Sequence, residues 1–368
     1  MSALAEKASR VNKGRTSPKP PRSVWREWLD SILFAVITAT LIRWLLLEAF
    51  MVPTSSMEGT ILVGDYIFMS KVHYGTKLPP TPLQLPLTHQ KVWGTNIPSY
   101  LNWISLPYYR LPGFTKVKRG EVVVFNYPKE LQYSSDMKTF WVKRCVGLPG
   151  DTLTEQQAQL FANGKALENP AARQYSYLLA TQSNLPDRTF RKYGIKESMQ
   201  VQDGYLVMTS PETAHTLQAL PLVDTVISGI RQATEAEPRI YLDARLFAWN
   251  RDNFGPLWVP CRGATIPVNR ETMATYEPVI RHYEGHERVE IGDESLTIGG
   301  KSQQTYTFPQ DYYFMMGDKR HNSEDSRFWG FVPEDHIVGK LVFIWLSLDS
   351  KANFFNRIRW KRLFNLIH

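Results

Sequence analysis

Cysteine is scarce in this 368-residue chain. Cys145 and Cys261 are its two cysteines, so at most one internal disulfide can form, and two are too few to indicate a compartment. We expect Cys145 to be a buried, inert thiol rather than the disulfide partner of Cys261. Between residues 168 and 290 the cysteines and histidines are not spaced as zinc ligands are, so no zinc site is predicted there.

Nucleic-acid-binding motifs are also lacking, although the chain is basic. Its formal net charge is +8, its pI is about 9.3, and the basic residues are concentrated at the two ends. Such a charge suits either nucleic acid or anionic lipid. Without a nucleic-acid motif we favour anionic membrane lipid as the partner and expect no nucleic acid. A composition that is 43% hydrophobic and 21% charged is that of a folded chain.

Long apolar runs are limited to one, near the N-terminus. Residues 1–26 form a basic tail that we expect to be disordered, and residues 27–52 are mostly apolar. A helix of that length can cross a hydrocarbon core of roughly 30 Å, with Arg43 and Glu48 near its outer end reaching the headgroups. The alternative is a buried helix of a soluble protein. Because basic flanks stay in the cytoplasm, the sequence predicts a single-pass anchor with the rest of the chain outside.

The soluble part is rich in short β-like segments. Candidate strands, each bounded by turn residues, cover 119–128, 140–151 and 312–318, with strand pairs or hairpins at 61–74, 161–167 and 336–348. Residues 75–117 are rich in proline and aromatic residues, which indicates a long irregular loop. That loop either enters the membrane interface or packs as ordinary loops do.

The composition changes after residue 167 and changes back near residue 305. We therefore predict an inserted α+β subdomain over 168–304, between two parts of a core at 53–167 and 305–349. Residues 350–368 mix basic and apolar side chains. They are predicted to form a basic amphipathic helix on the membrane surface, with an ordinary packing helix as the alternative.

A cluster of hydroxyl residues follows the apolar run directly. Pro53 should end any helix, and Thr54, Ser55 and Ser56 then lie in a turn, as a helix-end cap or as a nucleophile. A serine attacks a carbonyl only if a base takes its proton, and the histidines carry no triad signature. A buried lysine can be that base, because burial disfavours the ammonium and lowers its pKa. Lys143, in the middle of an apolar strand, fits this requirement, although a lone lysine there could also be an edge-strand residue.

Three stretches together resemble the signature motifs of bacterial type I signal peptidases, and they occur in the same order. They are Pro53-Thr-Ser-Ser-Met57 with Gly64-Asp65, Arg119-Gly-Glu-Val-Val-Val-Phe125 with Val142-Lys-Arg-Cys-Val-Gly-Leu-Pro-Gly-Asp151, and Gly317-Asp-Lys-Arg-His-Asn-Ser-Glu-Asp-Ser-Arg327. The resemblance implies a mainly β fold with an antiparallel, barrel-like catalytic core. It also implies a location in the bacterial cytoplasmic membrane, with the catalytic domain on the outer face.

The resemblance assigns roles to individual residues. Ser56 would be the nucleophile and Lys143 its general base. The Thr54 hydroxyl and the Ser56 backbone N–H would form the oxyanion hole, and Ser323 would orient the lysine.

It further implies a structural ion pair between Asp325 and Arg327. Exported preproteins with signal peptides would be the substrates, and neither a metal nor a cofactor would be needed. The residues implied to shape shallow pockets for small substrate side chains are Phe50, Val52, Met57, Trp141 and Val142.

Some positions depart from the family pattern. Lys319 and His321 stand where the family usually has asparagine and aspartate, and Cys145 stands where a small apolar residue is usual. Two other functions stay open: a Ser–Lys protease dedicated to itself or to one partner, and an inactive membrane scaffold that binds through residues 168–304. The sequence makes no prediction of the oligomeric state.

Overall fold

The computed structural model describes residues 23–85, 88, 90–101, 103–242, 246–349, 352–353 and 357–367. Most of the predicted basic tail, residues 1–22, therefore lies outside the described residues. The predicted domain boundaries stay predictions.

The N-terminal apolar run forms helix α1 (Val24–Leu45), which is long and apolar enough to cross a membrane. The helix ends earlier than predicted, because residues 47–51 form a strand. The prediction that Glu48 reaches the headgroups from a membrane helix is wrong. Glu48 is buried on that strand and forms ion pairs with Arg43 (2.9 Å) and Lys71 (2.8 Å).

Strands dominate the rest of the described chain. In order they are β1 (Leu47–Met51), β2 (Asp65–Ser70), β3 (Val122–Asn126), β4 (Phe140–Gly147), β5 (Thr152–Gln156), β6 (Gln159–Ala162), β7 (Lys165–Ala166), β8 (Tyr175–Ala180), β9 (Ser198–Val201), β10 (Gly204–Thr209), β11 (Thr225–Ser228), β12 (Phe254–Trp258), β13 (Thr265–Pro267), β14 (Val289–Gly292), β15 (Ser295–Ile298), β16 (Lys301–Gln303), β17 (Thr305–Thr307), β18 (Tyr312–Met316), β19 (Val332–Pro333), β20 (Ile337–Ser347) and β21 (Asn365–Leu366). The shorter helices are α2 (Asp187–Lys192), α3 (Pro211–Gln218), α4 (Arg270–His282) and α5 (Ser326–Trp329).

The largest sheet is antiparallel and curled, and its strand order is β1-β2-β20-β3-β4-β18-β19, with β21 paired to β20. The mainly β prediction is thus confirmed. The continuous apolar run of β3 is buried on both faces of this sheet, as the sequence predicted. Val122 and Val124 pack into one core cluster, whereas Val123 and Phe125 pack into another. This two-sided burial makes β3 a rigid neighbour for β4, with which it pairs residue by residue.

Two of the predicted strand pairs are single strands. Within 61–74 the structure has the one strand β2, flanked by β1 and β20, and within 336–348 it has the one long strand β20. Gly339 lies inside β20, where the backbone of Ser70 comes so close that a Cβ would clash. The predicted hairpin at Asn163-Gly164 is confirmed, since β6 pairs with β7.

Residues 168–304 contain a four-stranded antiparallel sheet, β11-β8-β10-β9, with its own apolar cluster, and the three-stranded sheet β14-β15-β16. Helix α3 also lies in this region. Residues 242–298 of this region also share a core cluster with β5, β6 and β18.

The C-terminal segment differs from the prediction of an amphipathic helix. Its described part has a 3-10 turn (Trp360–Arg362) and strand β21, while residues 350, 351, 354–356 and 368 lie outside the described residues. Arg362 binds the buried carboxylate of Asp65 at 2.6 Å and donates to the Thr60 carbonyl. This basic residue is therefore bound to β2 and to the turn before it rather than free to contact lipid.

The segment 75–117 has no helix among its described residues and contains isolated β-bridges. It exposes large apolar side chains: Trp103 is 83% exposed, Phe114 82% and Trp93 73%. The prediction of an irregular loop with exposed aromatic groups is confirmed.

Candidate active site

The turn of residues 55–61, called the nucleophile turn because it carries the predicted nucleophile, lies between β1 and β2. Its backbone closes through hydrogen bonds from Glu58 N–H to the Ser55 carbonyl (2.8 Å) and from Ile61 N–H to the Met57 carbonyl (3.0 Å). Pro53 keeps the preceding chain extended, so the turn begins as soon as β1 ends. As a result, Ser56 sits at the edge of the large sheet with its side chain partly exposed.

Lys143 lies in the middle of β4 and is 4% exposed. Its Nζ is 2.7 Å from the Ser56 Oγ, although the two residues are 87 positions apart in sequence. The Nζ also lies 5.0 Å from the centre of the Trp141 ring, which covers it from the same strand face. The structure therefore brings together the serine and the lysine that the sequence singled out.

Burial lowers the pKa of Lys143 to about 8, from the usual 10.5. Desolvation is the main cause, and the nearby carboxylates of Asp325, Asp318 and Glu324 offset part of it. Among the described residues Lys143 forms no ion pair that would hold it charged. A substantial fraction of the amine is therefore neutral near pH 8, and a neutral amine can accept the serine proton.

The two predicted oxyanion donors are the Thr54 hydroxyl and the Ser56 backbone N–H. Thr54 is exposed, and among the described residues neither its hydroxyl nor the Ser56 backbone N–H donates a hydrogen bond. Free donors beside a nucleophile are available to a developing oxyanion.

Ser323 lies close to this turn but forms no hydrogen bond to the lysine. A Cβ added to Gly317 would lie 2.1 Å from the Ser323 Oγ and 2.7 Å from the Ser56 carbonyl oxygen, so only glycine fits between them. The Ser323 hydroxyl contributes to the lowered pKa of Asp325, yet it forms no well-oriented hydrogen bond with any described group, Lys143 included.

Asp325 and Arg327 form a fully buried, two-point ion pair with distances of 2.8 and 2.9 Å. Burial by itself would raise the pKa of Asp325, but Arg327 outweighs it and holds that pKa below its usual value. Asp325 also accepts the backbone N–H of Gly317, and Arg327 donates to the carbonyls of Arg320 and Arg251. The pair thus fixes the 317–327 segment behind Ser56.

Four of the five predicted pocket residues share one apolar cluster. Val52 and Met57 are buried in it, and Phe50 and Val142 pack against it. Trp141 lies on the opposite face of β4, stacked on Tyr127 with ring centres 4.1 Å apart. It is next to the lysine rather than in the apolar cluster.

A further set of contacts around the nucleophile turn was not assigned from sequence. Arg144 binds Asp318 through two hydrogen bonds of 2.8 and 2.9 Å, and Asp318 accepts the Thr60 hydroxyl at 2.6 Å. Lys319 is fully buried and pairs with Glu58. The sequence contained one indication of these contacts: the charged residues occur within motifs whose other residues are typical of a buried strand or a turn.

The described residues contain no cluster of histidine, cysteine and acidic side chains that could hold a metal ion. Both cysteines are free thiols, and burial raises the pKa of the Cys145 thiol. The prediction of an unpaired, buried Cys145 agrees with this arrangement.

The chain is similar to known proteins over most of its length. The family model described as "Signal peptidase, peptidase S26" matches residues 25–216 and 258–346. That match includes most of the region 168–304, for which the sequence motifs offered no counterpart.

Curated relatives agree with this match, and each is named "Signal peptidase I". The protein of Buchnera aphidicola (from Schizaphis graminum) is 26% identical over 345 residues, covering 92% of this chain and 80% of the relative. That of Haemophilus influenzae is 24% identical, covering 94% of this chain and 77% of the relative. That of Helicobacter pylori J99 is 24% identical and covers 94% of both chains. Together with helix α1, these matches show that the chain belongs to the peptidase S26 family of signal peptidases and is a membrane-anchored serine peptidase.

Proposed function

We propose that Ser56 is the nucleophile of this peptidase and Lys143 its general base. The distance of 2.7 Å between a buried lysine amine and the serine hydroxyl is the observation that carries the proposal. The neutral amine takes the Oγ proton as Oγ attacks the scissile carbonyl, and the resulting ammonium donates that proton to the departing amine. Water, activated by the same amine, then hydrolyses the acyl-enzyme.

The oxyanion of the tetrahedral intermediate is stabilised by the Ser56 backbone N–H and the Thr54 hydroxyl. Both donors lack a protein partner, as the structure describes them, and each such donor typically contributes about 3 kcal/mol to transition-state stabilisation. Ser323, whose buried Oγ has no well-oriented partner among the described groups, orients the lysine, and the Asp325–Arg327 pair supports the segment that carries Ser323.

The substrates are preproteins with signal peptides that end in small side chains. The apolar cluster of Phe50, Val52, Met57 and Val142 lies beside Ser56, and the rings of Trp141 cover the lysine. An apolar pocket discriminates by size, with about 1–3 kcal/mol per extra methylene group, so small residues before the cleaved bond are favoured.

The enzyme works at the outer face of a bacterial cytoplasmic membrane, with its N-terminus in the cytoplasm. The basic residues before α1 favour this orientation. The exposed aromatic side chains of the 75–117 loop, Trp93, Trp103 and Phe114 among them, suit the membrane interface, where the chain's excess positive charge is attracted to anionic lipid.

A cleavage assay on several unrelated preproteins tests this function. We expect the membrane-embedded protein to remove the signal peptide from each preprotein, because recognition rests on small side chains rather than on one partner's sequence. The matched control is the same preprotein with a bulky residue replacing the small residue before the cleaved bond, which should resist cleavage. Cleavage of the protein itself or of one partner alone would instead support a dedicated protease, and no cleavage of any substrate would support a scaffold.

A further inference from the structure

A buried ionic cluster lies directly against the nucleophile turn. Lys319 is 0% exposed, and its Nζ is 2.9 Å from the Glu58 carboxylate and 2.7 Å from the Glu197 carboxylate. Lys196 pairs with the other oxygen of Glu58 at 3.0 Å. Glu58 belongs to the nucleophile turn, whereas Lys196 and Glu197 precede β9, so the cluster joins that turn to the four-stranded sheet.

Lys319 holds the nucleophile turn at two points. Its backbone N–H donates to the carbonyl oxygen of Ser56 at 3.0 Å, and its side chain binds Glu58, two residues further on. A single buried residue therefore fixes both the peptide plane of Ser56 and the side chain of Glu58. A lost contact here would let the Ser56 hydroxyl move relative to β4, which carries Lys143.

The charges of the cluster balance one another. Burial would raise the pKa of Glu58, but hydrogen bonds and attraction from Lys319 and Lys196 outweigh it and hold that pKa below its usual value. Without Lys319, the mostly buried Glu58 would keep one partner, the half-exposed Lys196. The Glu58 carboxylate would then be better solvated if it turned towards water, and that movement would displace the nucleophile turn.

The two buried lysines near Ser56 have different surroundings. Lys143 contacts the serine hydroxyl without an ion pair among the described residues, whereas Lys319 pairs with two carboxylates. The shorter asparagine that the family usually has at position 319 could not reach both carboxylates from the same backbone position. The two ion pairs of Lys319 thus depend on a position at which this chain departs from the family pattern.

We propose that Lys319 is a positioning residue for the nucleophile, acting through Glu58 and the Ser56 carbonyl. The proposal rests on the proposed function of Ser56. It assigns Lys319 no contact with substrate. Its loss should therefore lower kcat and leave KM nearly unchanged.

The test compares single substitutions in the full-length protein with a preprotein substrate. Lys319→Met removes the ammonium at similar size, and Glu58→Ala removes its anchor on the turn. Glu197→Ala is the matched control: it also deprives Lys319 of one carboxylate, but that carboxylate lies outside the turn. We expect kcat to fall roughly tenfold to a hundredfold in the first two variants, because small displacements of reacting groups have such effects, and to stay near wild type in the third.

A double variant separates positioning from general destabilisation. Glu58→Gln with Lys319→Met removes both charges, and the new amide oxygen at position 58 can still accept from Lys196, so kcat should recover part of the loss seen with Lys319→Met alone. If Lys319→Met does not fold, the comparison of kcat between Glu58→Ala and Glu197→Ala tests the proposal.

Wild-type kcat in Lys319→Met and Glu58→Ala, an equal loss in Glu197→Ala, or a rise in KM alone would overturn the proposal. These outcomes presuppose a wild-type enzyme whose cleavage depends on Ser56. If that dependence is missing, the proposed function itself has failed.

Discussion

Replacing Ser56 by alanine is expected to lower kcat for preprotein cleavage by about 10⁴-fold or more, with the fold retained. The substitution removes the atom that forms the acyl-enzyme, and residual catalysis would come from binding and the oxyanion donors alone. The side chain is at the surface end of the turn and its Oγ contacts Lys143, so its loss leaves no cavity in the core. Single-turnover cleavage, followed by gel electrophoresis, measures the effect.

Ser55→Ala is the matched control for this prediction. Ser55 is the adjacent hydroxyl residue in the same turn, but its Oγ points towards Lys319, 3.5 Å away, rather than towards Lys143. We expect Ser55→Ala to keep most of the activity. Activity that survives Ser56→Ala and is lost in Ser55→Ala would show that the nucleophile had been assigned to the wrong serine.

Replacing Lys143 by methionine is expected to have a comparably large effect, about 10⁴-fold or more in kcat, because the serine then has no base. Methionine fills a similar volume and suits the apolar surroundings of the strand. The free energy of unfolding should therefore hold steady or rise, since a buried ionisable group has been removed. Activity and chemical denaturation, measured on the same preparation, check both parts.

Lys138→Met controls for the loss of a buried lysine next to this sheet, since Lys138 lies just before β4. Lys138 is also buried, and desolvation lowers its pKa, but its Nζ bonds the Pro128 carbonyl and His336 rather than a serine. We expect this variant to retain kcat, even if it unfolds more easily. An equal loss of kcat in both variants would indicate that Lys143 acts through stability alone.

The site could be predicted from sequence because its parts stand in short motifs with unusual chemistry. The sequence shows each part separately: a lysine inside an apolar strand, and a hydroxyl cluster after a proline. Their meeting at 2.7 Å depends on the strand order β1-β2-β20-β3-β4 of the large sheet, which the motifs do not contain.

Long-range ion pairs were beyond sequence reasoning. Lys319 and Glu58 are 261 positions apart, and neither motif identifies the other residue as its partner. The prediction for Arg362 was wrong for the same reason: its basic, amphipathic context indicated a lipid-facing helix, but the side chain binds the buried Asp65. A pattern of basic residues therefore indicates an exposed face only if the folded chain places no acidic partner beside them.

The predicted end of the N-terminal helix was wrong because the same apolar pattern is compatible with a helix and with a strand. The run up to residue 52 is mostly apolar on both sides of residue 46, so hydrophobicity alone could not show that the helix ends at Leu45 and that a strand begins at Leu47. The ion pairs of Glu48 with Arg43 and Lys71 satisfy a charge that a membrane helix would have had to expose to lipid.

The pH dependence of kcat/KM tests the central claim most directly, because it reports the pKa of the base in the free enzyme. Lys143 must be neutral to act, so cleavage should rise with pH and level off above a midpoint near the lysine pKa of about 8. A rate that is flat between about pH 6 and about 10, or a midpoint near the value of 10.5 usual for an unperturbed lysine, would contradict the account.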